Sequence, residues 1–141
     1  MNKQKIDLEN DKILRSENIE YNNDTLKNTL DKIVESGTNT NGTYVKYSNG
    51  TMICYNTVSH ENVSITSVWG VFYESTLLSL GDYAKPFTSV PTLVLTSHFP
   101  NFVEKYANDS ETSPGGFYAC KPKSASSENV RVSYIAIGKW K

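Results

Sequence analysis

Few residues in this chain have the types and spacing that catalysis requires. The two histidines, His60 and His98, lie in strand-like stretches, and no nucleophile motif such as Gly-x-Ser-x-Gly accompanies them. Carboxylates are scattered through predicted loops, and nothing in the sequence pairs two of them as a glycosidase does. We therefore expect a protein that is not an enzyme. A cell-wall hydrolase or depolymerase is an alternative that no motif supports.

Cofactor chemistry has no sequence support either. The chain contains neither a phosphate-binding loop nor a dinucleotide fingerprint. Cys54 and Cys120 are far apart and belong to no Cys-x-x-Cys or histidine-containing metal pattern, so each is expected to be a buried free thiol. The sequence thus predicts no catalytic residue, no metal site and no cofactor.

Binding chemistry is present in residues 97–116, the longest strand-poor stretch of the predicted β region. Aromatic faces pack against the C–H surfaces of sugars, and planar polar groups reach sugar hydroxyls. The candidate ligand-binding residues are Phe99, Asn101, Phe102, Tyr106, Asn108 and Asp109. The alternative is that these aromatic residues anchor a long loop to the core. A second, weaker candidate combines residues 73–75 with Asp82 and Tyr83.

Charge argues against other kinds of partner. The formal net charge is −1, from 14 basic and 15 acidic residues, so no basic field exists to hold a phosphate backbone. Nucleic acid is therefore an unexpected partner. The first ten residues lack the apolar stretch of a signal peptide, and no later run is long and apolar enough to span a bilayer. We expect neither export by a signal peptide nor membrane insertion.

The N-terminal third predicts a tail followed by a short helix. Residues 1–15 are charged and weakly patterned, whereas Leu26, Leu30 and Ile33 recur at helical spacing after an N-cap at Asn23 or Asp24. The helix is expected to end between Glu35 and Gly37. With Ile19 these residues form a thin heptad seam, as in a trimeric stalk. The alternative is a helix on the flank of its own domain.

After residue 36 the pattern changes to strands. Residues 37–42 have the composition of a flexible linker. Asn49-Gly50, between two runs rich in β-branched and aromatic residues, predicts a hairpin with a type I′ turn. The predicted strands are 43–47, 51–59, 68–73, 76–80, 92–98, 116–121 and 130–140. The sequence therefore predicts an all-β, antiparallel β-sandwich knob at 43–141, joined by the linker to a tail and stalk at 1–36.

The last predicted strand carries apolar residues on both faces. Val132, Tyr134 and Ala136 alternate with Ile135 and Ile137, although an outer strand of a monomeric sandwich needs only one buried face. The second face is expected to be covered by another sheet layer or by another subunit, and contact between subunits is the more economical explanation. The candidate interface residues are Ile19, Leu26, Leu30, Ile33, Ile135 and Ile137.

Several motifs resemble the C-terminal domains of tail fibres and other tail proteins from phages and prophages of low-GC Gram-positive bacteria. Residues 43–55, TYVKYSNGTMICY, are similar to the opening G-x-x-x-K-x-x-D/N-G-T-x-x-x-x-G/N of that family. Lys85-Pro86-Phe87 with Pro91 resembles its P-F-x-x-x-P strand entry, and residues 134–141, YIAIGKWK, resemble its closing I-A-I-G-x-W. The family often has Trp-Gly where this chain has Tyr55-Asn56.

The resemblance covers the chain from about Ile19 to its end. It implies a sandwich akin to H-type lectins, trimeric assembly, and a structural or receptor-binding role in a phage tail. The predicted function is a receptor-binding tip that binds a host cell-surface saccharide. Its N-terminus is expected to join other tail or baseplate proteins, and the protein is expected in the virion after synthesis in the bacterial cytoplasm. The alternative is a purely structural fibre, baseplate or decoration protein without a ligand.

Overall fold

The computed structural model describes residues 20–21, 24–25, 32–98 and 102–141. Within these ranges the chain is all-β and antiparallel, and it contains no helix. It divides into two units, residues 1–32 and 33–141. In the first unit, β1 (Glu20–Tyr21) pairs with β2 (Asp24–Thr25). The prediction of an all-β antiparallel protein is confirmed.

The second unit forms one continuous sheet of nine strands. Six of them follow the order β3-β4-β5-β6-β10-β7, while β11 lies between β5 and β8, and β9 lies beside β10. The strands are β3 (Ile33–Asn39), β4 (Gly42–Tyr47), β5 (Thr51–Trp69), β6 (Phe72–Ser75), β7 (Leu78–Ser79), β8 (Thr92–Ser97), β9 (Phe102–Lys105), β10 (Gly116–Lys121) and β11 (Ala125–Lys139).

Two long strands, β5 and β11, connect the parts of this sheet. They pair from Thr51 opposite Lys139 to Ile65 opposite Ala125, with register shifts only near Glu128. On its other edge, β5 pairs first with β4 and later with β6. Asn62, the only non-glycine residue with a positive φ (55°) in the described chain, lies where these two parts of β5 meet. An irregularity at this point allows β5 to pair with β4 along its first part and with β6 along its last part.

One cluster of buried side chains takes members from both parts of the sheet. In β11, Val130, Val132, Tyr134 and Ala136 are buried, as the alternation of a strand with one core face requires. The other members are Met52, Cys54, Val63, Ile65, Leu80, Tyr83, Phe87, Phe117 and Ala119. The prediction of buried free thiols is confirmed, since Cys54 and Cys120 are both buried and unpaired with each other.

The motifs at the two ends of the β region meet in the structure. The Trp140 indole donates a hydrogen bond from Nε1 to the Tyr47 carbonyl (3.0 Å), and the Lys46 ammonium lies 5.0 Å from the indole centroid. Gly138 leaves room for Phe87, because a Cβ at Gly138 would come within 2.8 Å of that ring. These motif residues therefore have structural roles. Trp140 joins the end of the chain to the β4–β5 hairpin, and Gly138 lets β11 pack against the loop that contains Phe87.

The predicted helix and linker are replaced by strands where the structure describes them. Residues 26–31, with Leu26 and Leu30, lie outside the described residues, as does Ile19. Ile33, however, begins β3, so the predicted end of the helix and the linker at 37–42 are wrong. Glu35 explains the difference, because its carboxylate accepts hydrogen bonds from Tyr44 Oη (2.6 Å) and Lys46 Nζ (2.7 Å) across the β3–β4 hairpin. A local helical pattern cannot predict these contacts, because they join residues on two different strands.

Three further predictions need correction. Residues 68–73 are not one strand, because the chain turns at Gly70 (φ 59°) between β5 and β6. The strand-poor segment contains β9, which the mixed composition of the segment concealed. The Asn49-Gly50 hairpin is present, but only Gly50 has a positive φ (85°), so its turn is not type I′. Asn49 instead accepts a hydrogen bond from the Thr51 N–H (2.8 Å).

No helix in the described ranges has the length and hydrophobicity to cross a membrane.

We expect Glu35→Gln to weaken the fold in a pH-dependent way. Hydrogen bonds from Lys46 and Tyr44 lower the pKa of Glu35 from its usual 4.5 to about 2. Because the carboxylate is more acidic in the folded state, its stabilising contribution is complete above pH 4.5 and disappears as the pH falls towards 2. The variant should melt below the wild-type protein at pH 6, and the two melting temperatures should converge near pH 2. Glu111→Gln, at an exposed loop residue, is the control, and a pH-independent difference would contradict the assignment.

Tyr83→Phe is expected to stabilise the protein. The Tyr83 hydroxyl is buried and has no hydrogen-bond partner in the described part of the chain. Removing an unsatisfied buried polar group should raise the free energy of unfolding by about 1 kcal/mol, measured by urea denaturation. Tyr134→Phe is the matched control and should not stabilise the protein. The Tyr134 hydroxyl has partners, since it lies 3.5 Å from the Asn41 carbonyl and 3.4 Å from the Asp82 carbonyl. A destabilised Tyr83→Phe variant would show that its hydroxyl has a partner.

Candidate functional site

Strands β6, β10 and β9 present a surface of aromatic and acidic side chains on the side of the sheet opposite the core. In β10, Phe117 and Ala119 belong to the core, so Tyr118 and Cys120 point to the other side. Residues directly opposite each other in a ladder share a face. Cys120 is opposite Glu74 and Phe102, and Tyr118 is opposite Glu104. We call this surface the aromatic face. Its members are Trp69, Phe72, Glu74, Phe102, Glu104, Tyr106 and Tyr118; Cys120 lies on the same side of the sheet but is fully buried.

The rings of the aromatic face form two groups. Phe72 and Phe102 meet edge to face with centroids 5.1 Å apart, and Trp69 lies 6.4 Å from Phe72 across the β5–β6 turn. Tyr106 and Tyr118 form a second edge-to-face pair at 5.9 Å. Phe102 and Tyr106 are 37% and 48% exposed, so their ring surfaces are open to a ligand. Phe102 and Tyr106 are four positions apart along extended chain, which places their backbones roughly 13 Å apart.

Two carboxylates flank the strand between these ring groups. Glu74 on β6 and Glu104 on β9 lie on either side of β10, around the thiol of Cys120. Burial, followed by the negative charges of Glu104 and Glu74, raises the pKa of Cys120 from its usual 9.0 to about 11. The thiol is therefore protonated at neutral pH, which makes it a poor nucleophile. The chemistry that this surface offers is contact with ring faces together with acceptance of hydrogen bonds or positive charge.

The structure separates the predicted ligand-binding residues into three groups. Phe102 and Tyr106 lie on the aromatic face, whereas Phe99 and Asn101 lie outside the described residues. The side chains of Asn108 and Asp109 make contacts within and beside the loop after β9. Asn108 Oδ1 accepts a hydrogen bond from the Gly116 N–H (2.9 Å), and Asp109 lies 3.5 Å from the Lys105 ammonium.

The weaker candidate segment contributes one residue to the same surface. Glu74 lies on the aromatic face, while Ser75 is buried and accepts a hydrogen bond from the Ala119 N–H (3.0 Å). Tyr83 belongs to the core, and Asp82 is an exposed loop residue. Sequence reasoning did not select Trp69, Phe72, Glu104 and Tyr118 as site residues. The alternation of residues 102, 104 and 106 carried a signal for a strand with an outer face.

A second surface lies on the outer side of strands β5, β11 and β8. Ile135 is opposite Tyr55 and Val94, and Ile137 is opposite Ile53. Ile135 and Ile137 are 50% and 48% exposed, and Tyr55 and Val94 are exposed as well. We call these five residues the apolar face. Ile33, another predicted interface residue, is exposed on β3. Both faces of the last strand are therefore apolar, and in a single chain the outer one is open to water.

The histidines are engaged in structural contacts. His60 donates from Nε2 to the Ser79 carbonyl (2.9 Å), and its ring meets Phe117 edge to face. His98 Nε2 is hydrogen bonded to Ser133 Oγ (2.8 Å). Among the residues that the structure describes, no group of three histidine, cysteine or acidic side chains is arranged to hold a metal ion.

Comparison with known proteins gave no match to a family model, a curated protein or a solved structure. The resemblance of the turn and strand motifs to phage tail domains therefore stays a prediction. Any function assigned to the chain must be argued from its two exposed faces.

Proposed function

We propose that this chain is the receptor-binding tip of a phage tail fibre, which assembles as a homotrimer and binds a host cell-surface saccharide. The observation that carries the proposal is the aromatic face, where half-exposed rings adjoin carboxylates on a regular sheet. Ring faces match the C–H surfaces of sugars, and carboxylates accept hydrogen bonds from sugar hydroxyls. No catalytic step is part of this function.

The apolar face supports the trimeric part of the proposal. Exposed side chains of Tyr55, Val94 and Ile135 adjoin one another on one flat surface. Contiguous exposed apolar surface is typical of sites where proteins meet. Packing copies of the chain through this face removes it from water. We also propose that the knob is a sandwich akin to H-type lectins. Its N-terminus is proposed to attach to other tail or baseplate proteins.

A trimer would compensate for the low affinity of a single saccharide-binding site. An open sheet face holds a single sugar loosely, because such a surface excludes little water. Three linked copies convert later binding events into intramolecular ones, which raises the overall affinity without new contacts. The proposed location of the protein is accordingly the virion, at a point where the tail meets the host surface.

The alternative is a structural fibre, baseplate or decoration protein without a ligand. The apolar face alone favours it, since self-association is all that such a component needs. The two functions differ in what the aromatic face does.

Replacing Phe102 and Tyr106 together with alanine should abolish saccharide binding on an array of Gram-positive cell-wall and capsular saccharides. Each ring should contribute about tenfold in affinity, or about 1.4 kcal/mol, because both rings are exposed on the aromatic face and can stack on a sugar. Val90→Ala removes an exposed apolar side chain from a loop outside both faces and is the control. Unchanged adsorption to host cells by the double variant would favour the structural alternative. No wild-type signal at high protein density would contradict saccharide binding.

Light scattering should give a solution mass of three times the 15.8 kDa of one chain. Ile135→Lys places a charge at the centre of the apolar face, and the expected result is a folded monomer. Ser126→Lys, at an exposed position of the same strand, should leave the mass unchanged. A wild-type protein that is monomeric and stable at micromolar concentration would rule out assembly through this face.

A further inference from the structure

We infer that the saccharide bound by the aromatic face carries a positive charge, as an amino sugar or an amine-substituted glycopolymer does. This inference rests on the proposed function and narrows its ligand class. In the proposed complex, the ligand's ammonium group lies between the carboxylates of Glu74 and Glu104, which are on the strands on either side of β10. The flanking rings contact the sugar.

The first support is that Glu74 and Glu104 lack cationic partners within the described ranges. The ion pairs of this part of the chain use other acids: Glu35 with Lys46 and Lys85, Asp109 with Lys105, and Glu128 with Lys121. Glu74 and Glu104 take part in none of these four ion pairs. The two on the aromatic face keep their charge available.

The second support is the electrostatic environment of Cys120. The charges that act on this buried thiol come from Glu104 and Glu74, and both of them disfavour the thiolate. A nearby lysine or arginine would act in the opposite direction, and none is among the causes of the shift. Among the residues that the structure describes, the charges acting on this thiol are therefore negative, and no cation offsets them.

The third support is that rings and carboxylates favour the same ligand. The face of an aromatic ring attracts a cation through its quadrupole, so Phe102, Tyr106 and Tyr118 add to the attraction of the acids. A neutral saccharide leaves both carboxylates without a counter-charge. An anionic one, such as a phosphate- or uronate-rich polymer, is repelled by them. Among saccharides, complementarity of charge selects those that bear amines.

The test uses the full chain and a panel of purified cell walls from low-GC Gram-positive bacteria. Each wall is prepared in two forms, untreated and N-acetylated with acetic anhydride in water. Acetylation converts each free amine to a neutral amide and leaves the sugar rings in place. We expect acetylation to reduce binding at pH 6 at least tenfold, and we expect added salt to weaken binding to the untreated wall.

Variants then locate the effect on the protein. Glu74→Gln with Glu104→Gln should reduce binding to untreated wall at least tenfold and leave binding to acetylated wall nearly unchanged. Glu61→Gln with Glu111→Gln makes the same change in net charge at two other exposed acids and should bind as the wild-type protein does. Thermal melts of both double variants verify that they are folded.

The outcomes separate this inference from the function on which it rests. Equal binding to both forms of wall, lost on Phe102→Ala, would keep saccharide binding and overturn the requirement for a positive charge. Equal weakening by the two double variants would also overturn it, because the attraction would then be to net charge alone. Absence of binding to every wall in either form would overturn the proposed function itself.

Discussion

The antiparallel pairing of β5 with β11 is the interaction on which the rest of the structure depends. From Val130 to Lys139 the ladder is uninterrupted, and side chains alternate strictly between its two sides. This register buries Tyr134 and exposes Ile135. A slip of one residue would exchange the two faces of β11 and move its core residues into water. Because β4, β6 and β8 each pair with one of these strands, the two long strands also position the outer side chains of these three neighbours.

The hydrophobic core of the described chain uses one side of the sheet, so its other side is free to carry function. Along β11 and β8 that side is aliphatic, and along β9 and β10 it is aromatic and acidic. The backbone hydrogen bonds of the sheet do not by themselves require either composition. Polar residues at Ile135 or Phe102 would satisfy the same β ladder at less exposure of apolar surface. The persistence of large apolar side chains at half-exposed positions is thus a property that folding alone does not explain.

Local pattern in the sequence predicted the fold class, the β10 strand at 116–121, the hairpin at Asn49-Gly50 and the two-faced last strand. It misplaced residues whose conformation depends on distant partners. Ile33 fits a helical stripe, yet β3 is held by contacts from Glu35 to Lys46 across a hairpin. Phe102 and Glu74 were assigned to separate candidate sites, because only the pairing of β6 and β9 with β10 brings them together. Composition found Phe102 and Tyr106, whereas the pairing of the strands was needed to add the other rings of the aromatic face.

The two exposed faces are compatible with each other because they share no residue. The proposed contacts between copies through Ile135 and Val94 would use no residue of the aromatic face, so the proposed assembly would not compete with the proposed ligand binding. Assembly through one face would also strengthen binding through the other. A flat, solvent-open surface of rings binds a sugar weakly, and such binding becomes useful only when several surfaces act at once. A chain that exposes both an apolar face and a weak binding face therefore has a physical reason to function as an assembly, whereas either face alone would leave the other unexplained.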